Sequence, residues 1–232
     1  MKCMRLSAMS HIDPKPNLAS RKPNERFSWV IAAEEQAHWR ETNRIARFFD
    51  VVQGRRSSRE LKAAPIELTM NAVRDALQIF YHGSGETSDR QRKPVLSAGA
   101  LHPIQALVIR REGGPLLYDD ISDKVLSVAV SQPAALADFC KVAQKVLPNA
   151  IGDWILLTAD FDRTAASYDS ADSLVWRDAG AALQMLALTC QVNGLGFCPL
   201  GLLGDDAAHA IHGRHNGPQG VGVAAVGLPL ER

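Results

Sequence analysis

The chain has 232 residues, 46% of them apolar, which suits one large domain with a substantial core. Lys and Arg number 26 against 25 Asp and Glu, so the formal charge is +1 and nothing draws the chain to nucleic acid or an anionic membrane. Four scattered cysteines (Cys3, Cys140, Cys190 and Cys198) form no Cys-x-x-Cys pair and match no zinc spacing. They fit a reducing compartment, and with no secretory leader and no run of ~20 apolar residues the expectation is a cytoplasmic protein.

Residues 10–28 are rich in Pro, Asn, Ser, Lys and Arg, and Pro14, Pro16 and Pro23 forbid a regular helix there. Residues 1–31 are expected to form an extended or mobile arm ahead of one domain, 32–232. A helical pattern runs over 32–53, with Trp39, Ile45, Phe49 and Val52 near one face and Gly54 as its stop. Pro65 opens a second helix over 66–81, and the polar stretch 86–94 reads as a loop. Residues 106–110, 116–118 and 125–130 read as strands, punctuated by Gly113-Gly114 and Asp119-Asp120. Pro133 starts a helix that ends near 147, and 154–159 is a short apolar run expected to be a buried strand. The longest helix is expected over 173–193. Its part 179–190 is almost wholly apolar, which predicts burial on every side, within one chain or between two. Residues 221–226 form a last strand, and strands interleaved with helices of uneven length predict an α+β layer fold.

Three pieces carry candidate chemistry. Arg55-Arg56-Ser57-Ser58-Arg59 packs guanidinium forks around hydroxyls, the donor set a phosphate needs; its plain alternative is a solvated turn after a helix. Ser97-Ala98-Gly99-Ala100-Leu101-His102-Pro103 is a small-residue loop that lets backbone approach a flat ring, or is an ordinary connection into the next strand. Gly194-Leu195-Gly196-Phe197-Cys198-Pro199-Leu200-Gly201 is a Gly-rich elbow whose main-chain N–H groups near Leu200 and Gly201 can donate to a ring acceptor, or a linker from helix to strand. His209, His212 and His215 follow a His-x-x-His-x-x-His spacing interrupted by Gly213. A solvated polar loop is expected there, and no metal.

Taken jointly and in this order, with Arg177-Asp178-Ala179-Gly180 opening the apolar helix, the pieces resemble the nitroreductase superfamily and most closely its SagB-type branch, over 54–228. The resemblance implies an α+β sandwich of a mostly antiparallel sheet with helices, an obligate homodimer with a long buried central helix, and FMN between subunits. It implies Arg55, Arg56, Ser57 and Arg59 near the FMN phosphate, and Ser97, Ala98, Gly99 and His102 approaching from the partner subunit. Gln184 would line the site, and Pro199, Leu200 and Gly201 would lie against the isoalloxazine.

The implied activity is two-electron (hydride) transfer through flavin N5 on a small or peptide-derived conjugated substrate, in the setting of natural-product tailoring. With no Gly-x-Gly-x-x-Gly unit, NADH or NADPH as co-substrate would have to use the same site in turn. In the branch's peptide-azoline dehydrogenases a Lys-Tyr pair precedes the Arg-Asp-Ala-Gly; here Val175 and Trp176 stand there. Neither can act as a base, so azoline oxidation is the lesser alternative, and Trp176 with His102 are the residues expected beside the substrate. The other alternative is a flavin-fold subunit that has lost catalysis and serves as a scaffold in a biosynthetic complex.

Overall fold

A computed structural model of the chain describes residues 14–16, 26–37, 39, 48–82 and 91–230. In chain order the elements are β1 (Lys15–Pro16), β2 (Ile31–Glu35), α1 (Phe48–Gly54), β3 (Leu61–Lys62), α2 (Ile66–Leu77), β4 (Tyr81–His82), β5 (Gln91–Arg92), β6 (Ile104–Ile109), β7 (Leu116–Asp119), β8 (Lys124–Val128), α3 (Pro133–Val146), β9 (Asp153–Ala159), α4 (Phe161–Ala165), β10 (Tyr168–Asp169), α5 (Asp172–Val192), β11 (Gly196–Leu200), α6 (Asp205–His212) and β12 (Gln219–Pro229).

The main sheet runs β11-β12-β9-β6-β7-β8-β2, with β3 paired to β12. Each of these pairings is antiparallel. Side chains alternate across it with the strand period of two. Ile104, Ala106, Val108, Ile155 and Leu157 pack with α2 and α5 on one face. Leu107, Ile109, Trp154 and Leu156 pack with α3 and α6 on the other. Helices on both faces of an antiparallel sheet make an α+β sandwich, as expected. Fully buried side chains such as Leu156, Leu157 and Leu186 each contribute about 1.5–3 kcal/mol to it.

The first helix differs from its expected 32–53. Ile31–Glu35 is instead an edge strand on β8, Phe48–Gly54 is helical as α1, and the part of the expectation over 40–47 lies outside the described residues. Ala-Ala-Glu-Glu favours helix locally, but the open edge of β8 offers backbone partners that override a weak propensity. The boundary expected at 31/32 falls inside this strand. Lys15 and Pro16 pair with Asp169 and Tyr168, and Trp29 is buried, its indole N–H donating to Gln105 Oε1 at 3.0 Å. Arg26 and Lys93 both reach the buried carboxylate of Asp120. Burial pushes the Lys93 ammonium well below its ordinary range.

Three further stretches depart from expectation. Helix α2 stops at Leu77, because Gln78 turns to an extended ψ of 152°, and residues 91–92, within the expected 86–94 loop, pair antiparallel with 81–82, while 83–90 lie outside the described residues. The Gly-rich elbow holds a strand, β11. The expected polar His loop holds a helix, α6, whose Ala207, Ala208, Ala210 and Ile211 are buried.

Helix α5 is not buried all round within one chain. Val175, Ala179, Ala182, Leu186 and Cys190 face the core, while Arg177, Gly180 and Gln184 form an exposed strip. Beside it lies α1, whose Phe48 and Phe49 are exposed.

Candidate active site

The Arg-Ser turn is built onto the elbow. The Arg55 N–H donates to Val51 O at 3.0 Å and closes α1. Ser57 then bridges Phe197, and the Ser58 N–H donates to Phe197 O at 3.1 Å. A glycine at 196 makes this contact possible. A Cβ there would come within 2.8 Å of Ser58 Cβ and 2.5 Å of Leu61 Cδ2. Two more bonds pin the turn, Leu61 N–H to Asn149 O at 3.1 Å and Leu230 N–H to Glu60 O at 3.2 Å.

A cleft of about 930 Å³ opens where these segments meet. Its walls are residues 56–60, residues 146–149, residues 198–201, and Pro229 with Leu230. Six of the expected cofactor residues therefore share one cavity: Arg56, Ser57, Arg59, Pro199, Leu200 and Gly201. Arg55 is not part of this wall. The cleft has hydroxyls and two guanidiniums on one side and exposed backbone on the other, so it suits an anion joined to a flat apolar group. Burial pushes the Cys198 thiol up while Arg59 pulls it the other way, so the group is a thiol, not a nucleophilic thiolate.

The 97–103 loop lies elsewhere. Ala98–Ala100 form one 3₁₀ turn, and Gly99, Ala100 and His102 have φ of 59°, 54° and 48°. Asp178, buried in α5, holds the loop from beneath. Its carboxylate accepts from Ser97 Oγ at 2.6 Å and from the Ala98 N–H at 3.2 Å. Ser97 Oγ accepts in turn from the His102 N–H at 2.9 Å. Burial raises the Asp178 pKa, against the lowering effect of those two donors. The Ser97 hydroxyl and Ala98 N–H are thus engaged inside the chain, and His102 is buried. Gly99 is exposed, with Tyr168 Oη lying 3.0 Å from where its Cβ would be.

Trp176 is half-buried, edge-on to Phe161 with ring centroids 6.1 Å apart, and packs against the core. Gln184 is exposed on α5. Neither lines the cleft. The structure therefore gathers six of the expected residues in the cleft and Ser97, Ala98, Gly99 and His102 in the loop held by α5, while Arg55, Trp176 and Gln184 fall in neither group.

The three histidines do not form a metal centre. Both ring nitrogens of His212 are in use, Nδ1 accepting from the Arg214 N–H at 2.9 Å and Nε2 facing Pro218 O at 3.1 Å. Burial lowers its pKa, which favours that neutral ring. Among the described residues no group of three or more His, Cys, Asp or Glu could hold a metal ion. No helix among them is long and apolar enough to cross a membrane.

Sequence reasoning assigned no role to Asp178 or to the wall 146–149. Asp178 carried a signal, a carboxylate entering an apolar helix that must find donors once buried. The wall carried none, because it joins the cleft only through the fold.

Residues 52–228 match the family model described as the nitroreductase family. The chain therefore belongs to that family, and it is an FMN-dependent oxidoreductase in class. No curated protein matches it. Among solved structures it is similar to one described as a nitroreductase from Ralstonia eutropha JMP134, at 14% identity and a TM-score of 0.61, covering 95% of this chain and 100% of that one. A structure described as a nitroreductase in complex with FMN, from Exiguobacterium sibiricum 255-15, is 15% identical with a TM-score of 0.53, covering 82% of this chain and 91% of that one. One described as an NADH oxidase from Clostridium acetobutylicum is 20% identical with a TM-score of 0.50, covering 79% and 89%.

Proposed function

We propose that this chain works as a homodimeric, FMN-dependent oxidoreductase of the SagB-type branch, acting on a small or peptide-derived conjugated substrate in natural-product tailoring. NADH or NADPH is the proposed electron source. The observation that carries the reading is the cleft, in which the Arg-Ser turn and the 199–201 backbone are locked together by the Ser57–Phe197 bridge. Bound FMN supplies two-electron transfer through its N5. Arg56, Arg59 and Ser57 hold the phosphate by charge-assisted hydrogen bonds, and residues 199–201 offer backbone against the ring. The neighbour in complex with FMN supports the same cofactor here.

Three features favour two copies. The 97–103 loop does not line the cleft of its own chain, and in a dimer the second copy would bring it to the ring. Gly180 sits in the exposed strip of α5 with nothing within 4 Å of its Cβ position, which leaves room for another backbone. Phe48 and Phe49 on the adjoining α1 expose apolar rings that a partner would cover.

Azoline oxidation is not the proposed reaction. Val175 is fully buried hydrocarbon, and the Trp176 indole is a donor with no basic atom. Trp176 is instead proposed as an apolar shelf for the substrate.

The test is the absorbance spectrum of the purified protein and the identity of the flavin released on denaturation, followed by rapid-mixing reduction with NADH and NADPH. Flavin bands, released FMN and reduction by either nucleotide support the reading. A colourless protein that takes up no added FMN would sink it.

A further inference from the structure

We propose that Asp178 is a positioning residue, whose carboxylate fixes the 97–102 segment so that Gly99 presents bare backbone toward the cofactor of the partner subunit. This rests on the FMN reading above, since that reading makes the loop part of the site.

Asp178 lies on α5 only 6% exposed, between the buried Val175 and Ala179. A carboxylate is costly to bury without donors. Its donors come from the loop, and Ser97 Oγ relays the link to the His102 N–H. One side chain on a helix thereby fastens residues 97, 98 and 102 together.

The loop needs fastening. Three of its residues are left-handed, and Ala100 and His102 carry a Cβ that disfavours that region. Strained backbone of this kind persists only where its surroundings over-determine it. Tyr168 against Gly99 and Arg163, whose Nε donates to Leu101 O, hold the loop from its other side, and β10, which carries Tyr168, is paired with β1 of the arm. Ser97 and Ala98 thus support the loop from beneath. The outward face falls to the Gly99 backbone on the side away from Tyr168, beside Leu96, which is 80% exposed.

The test compares the full-length wild type with Asp178→Asn, Ser97→Ala and the double variant. It reads amide hydrogen exchange after FMN removal, thermal melting, FMN titration and the visible flavin spectrum. Both single variants should exchange the 97–102 amides about tenfold faster, with the amides of α5 unchanged. Their Kd for FMN should rise about tenfold and the flavin spectrum should shift, while the melting point falls by only about 2–6 °C. The double variant should be no worse than either single, because both break one link.

Wild-type loop exchange with wild-type FMN affinity in the single variants overturns the proposal, as does a double variant that sums two independent losses. If Asp178→Asn fails to fold, Ser97→Ala, which removes one hydroxyl, decides on the same readouts. If even the wild type binds no FMN, the cofactor reading falls, and the exchange measurement still decides whether Asp178 holds the loop.

Discussion

Removing the two guanidiniums that line the cleft should release the cofactor, and removing the third should not. Arg56 and Arg59 share the cavity with residues 199–201, whereas Arg55 lies off its wall and closes α1 through its backbone. A hydrogen bond to a charged group contributes about 1.5–3 kcal/mol, so two lost together cost about 3–6 kcal/mol. Both side chains are exposed, which places the loss near the lower end, about 3 kcal/mol or a hundredfold in Kd. The assay is a fluorescence titration of FMN into stripped Arg56→Ala/Arg59→Ala and Arg55→Ala proteins at two salt concentrations. The double variant should bind about a hundredfold more weakly and lose its salt dependence, with Arg55→Ala within about threefold of wild type. Full retention by the double variant, or an equal loss on removing Arg55, would refute this assignment of the phosphate clamp.

Gly180→Leu places a side chain on the exposed strip where the isolated chain has open space, so the fold should hold or gain the ~0.5–1 kcal/mol that a helical glycine costs. Light scattering should then show a stable monomer lacking FMN, and a flavin-loaded dimer would remove α5 from the interface. Ala182 and Leu186 are unsuitable for that test, since both are fully buried in their own chain and a charge there would unfold it. Trp176→Phe keeps an aromatic edge against Phe161 and should retain fold and FMN while lowering kcat/KM for a conjugated substrate; unchanged turnover would take Trp176 out of the site. At the buried Asp120, Asp120→Asn strands Arg26 and Lys93 and should cost about 3–5 kcal/mol by denaturant unfolding, whereas Lys93→Met leaves the Arg26 pair intact and should be near neutral. Equal losses in the two variants would show that Lys93 is required as a charge.

Strands and core were legible because burial imposes a period on the sequence. Residues 106–110 and 154–159 read as strands and are β6 and β9, alternating between two helical layers. What failed lay where long-range pairing outweighs local preference. Ala32–Glu35 reads as helix and pairs as a strand because β8 needs an edge partner. The 196–200 segment reads as a linker, yet β12 and the Ser57 bridge make it a strand. The Arg-Ser turn and the elbow were each ambiguous alone, and their meeting at Phe197 is a fact of topology that no local spacing encodes.

Helix α5 marks the limit more sharply. Its apolar run was read as burial on every side, but residue type reports only that a face will meet something apolar, never which chain supplies it. The core takes Val175, Ala179, Ala182, Leu186 and Cys190, and the strip through Arg177, Gly180 and Gln184 is left over. Asp178 resolves the apparent conflict of a carboxylate in such a helix. It faces inward like its apolar neighbours, and it can do so because the 97–102 loop brings its donors to it. The same Arg-Asp-Ala-Gly run thus serves two surfaces at once: Asp178 and Ala179 turn toward the chain's own loop and core, while Arg177 and Gly180 turn outward to the face where a second copy is proposed to dock.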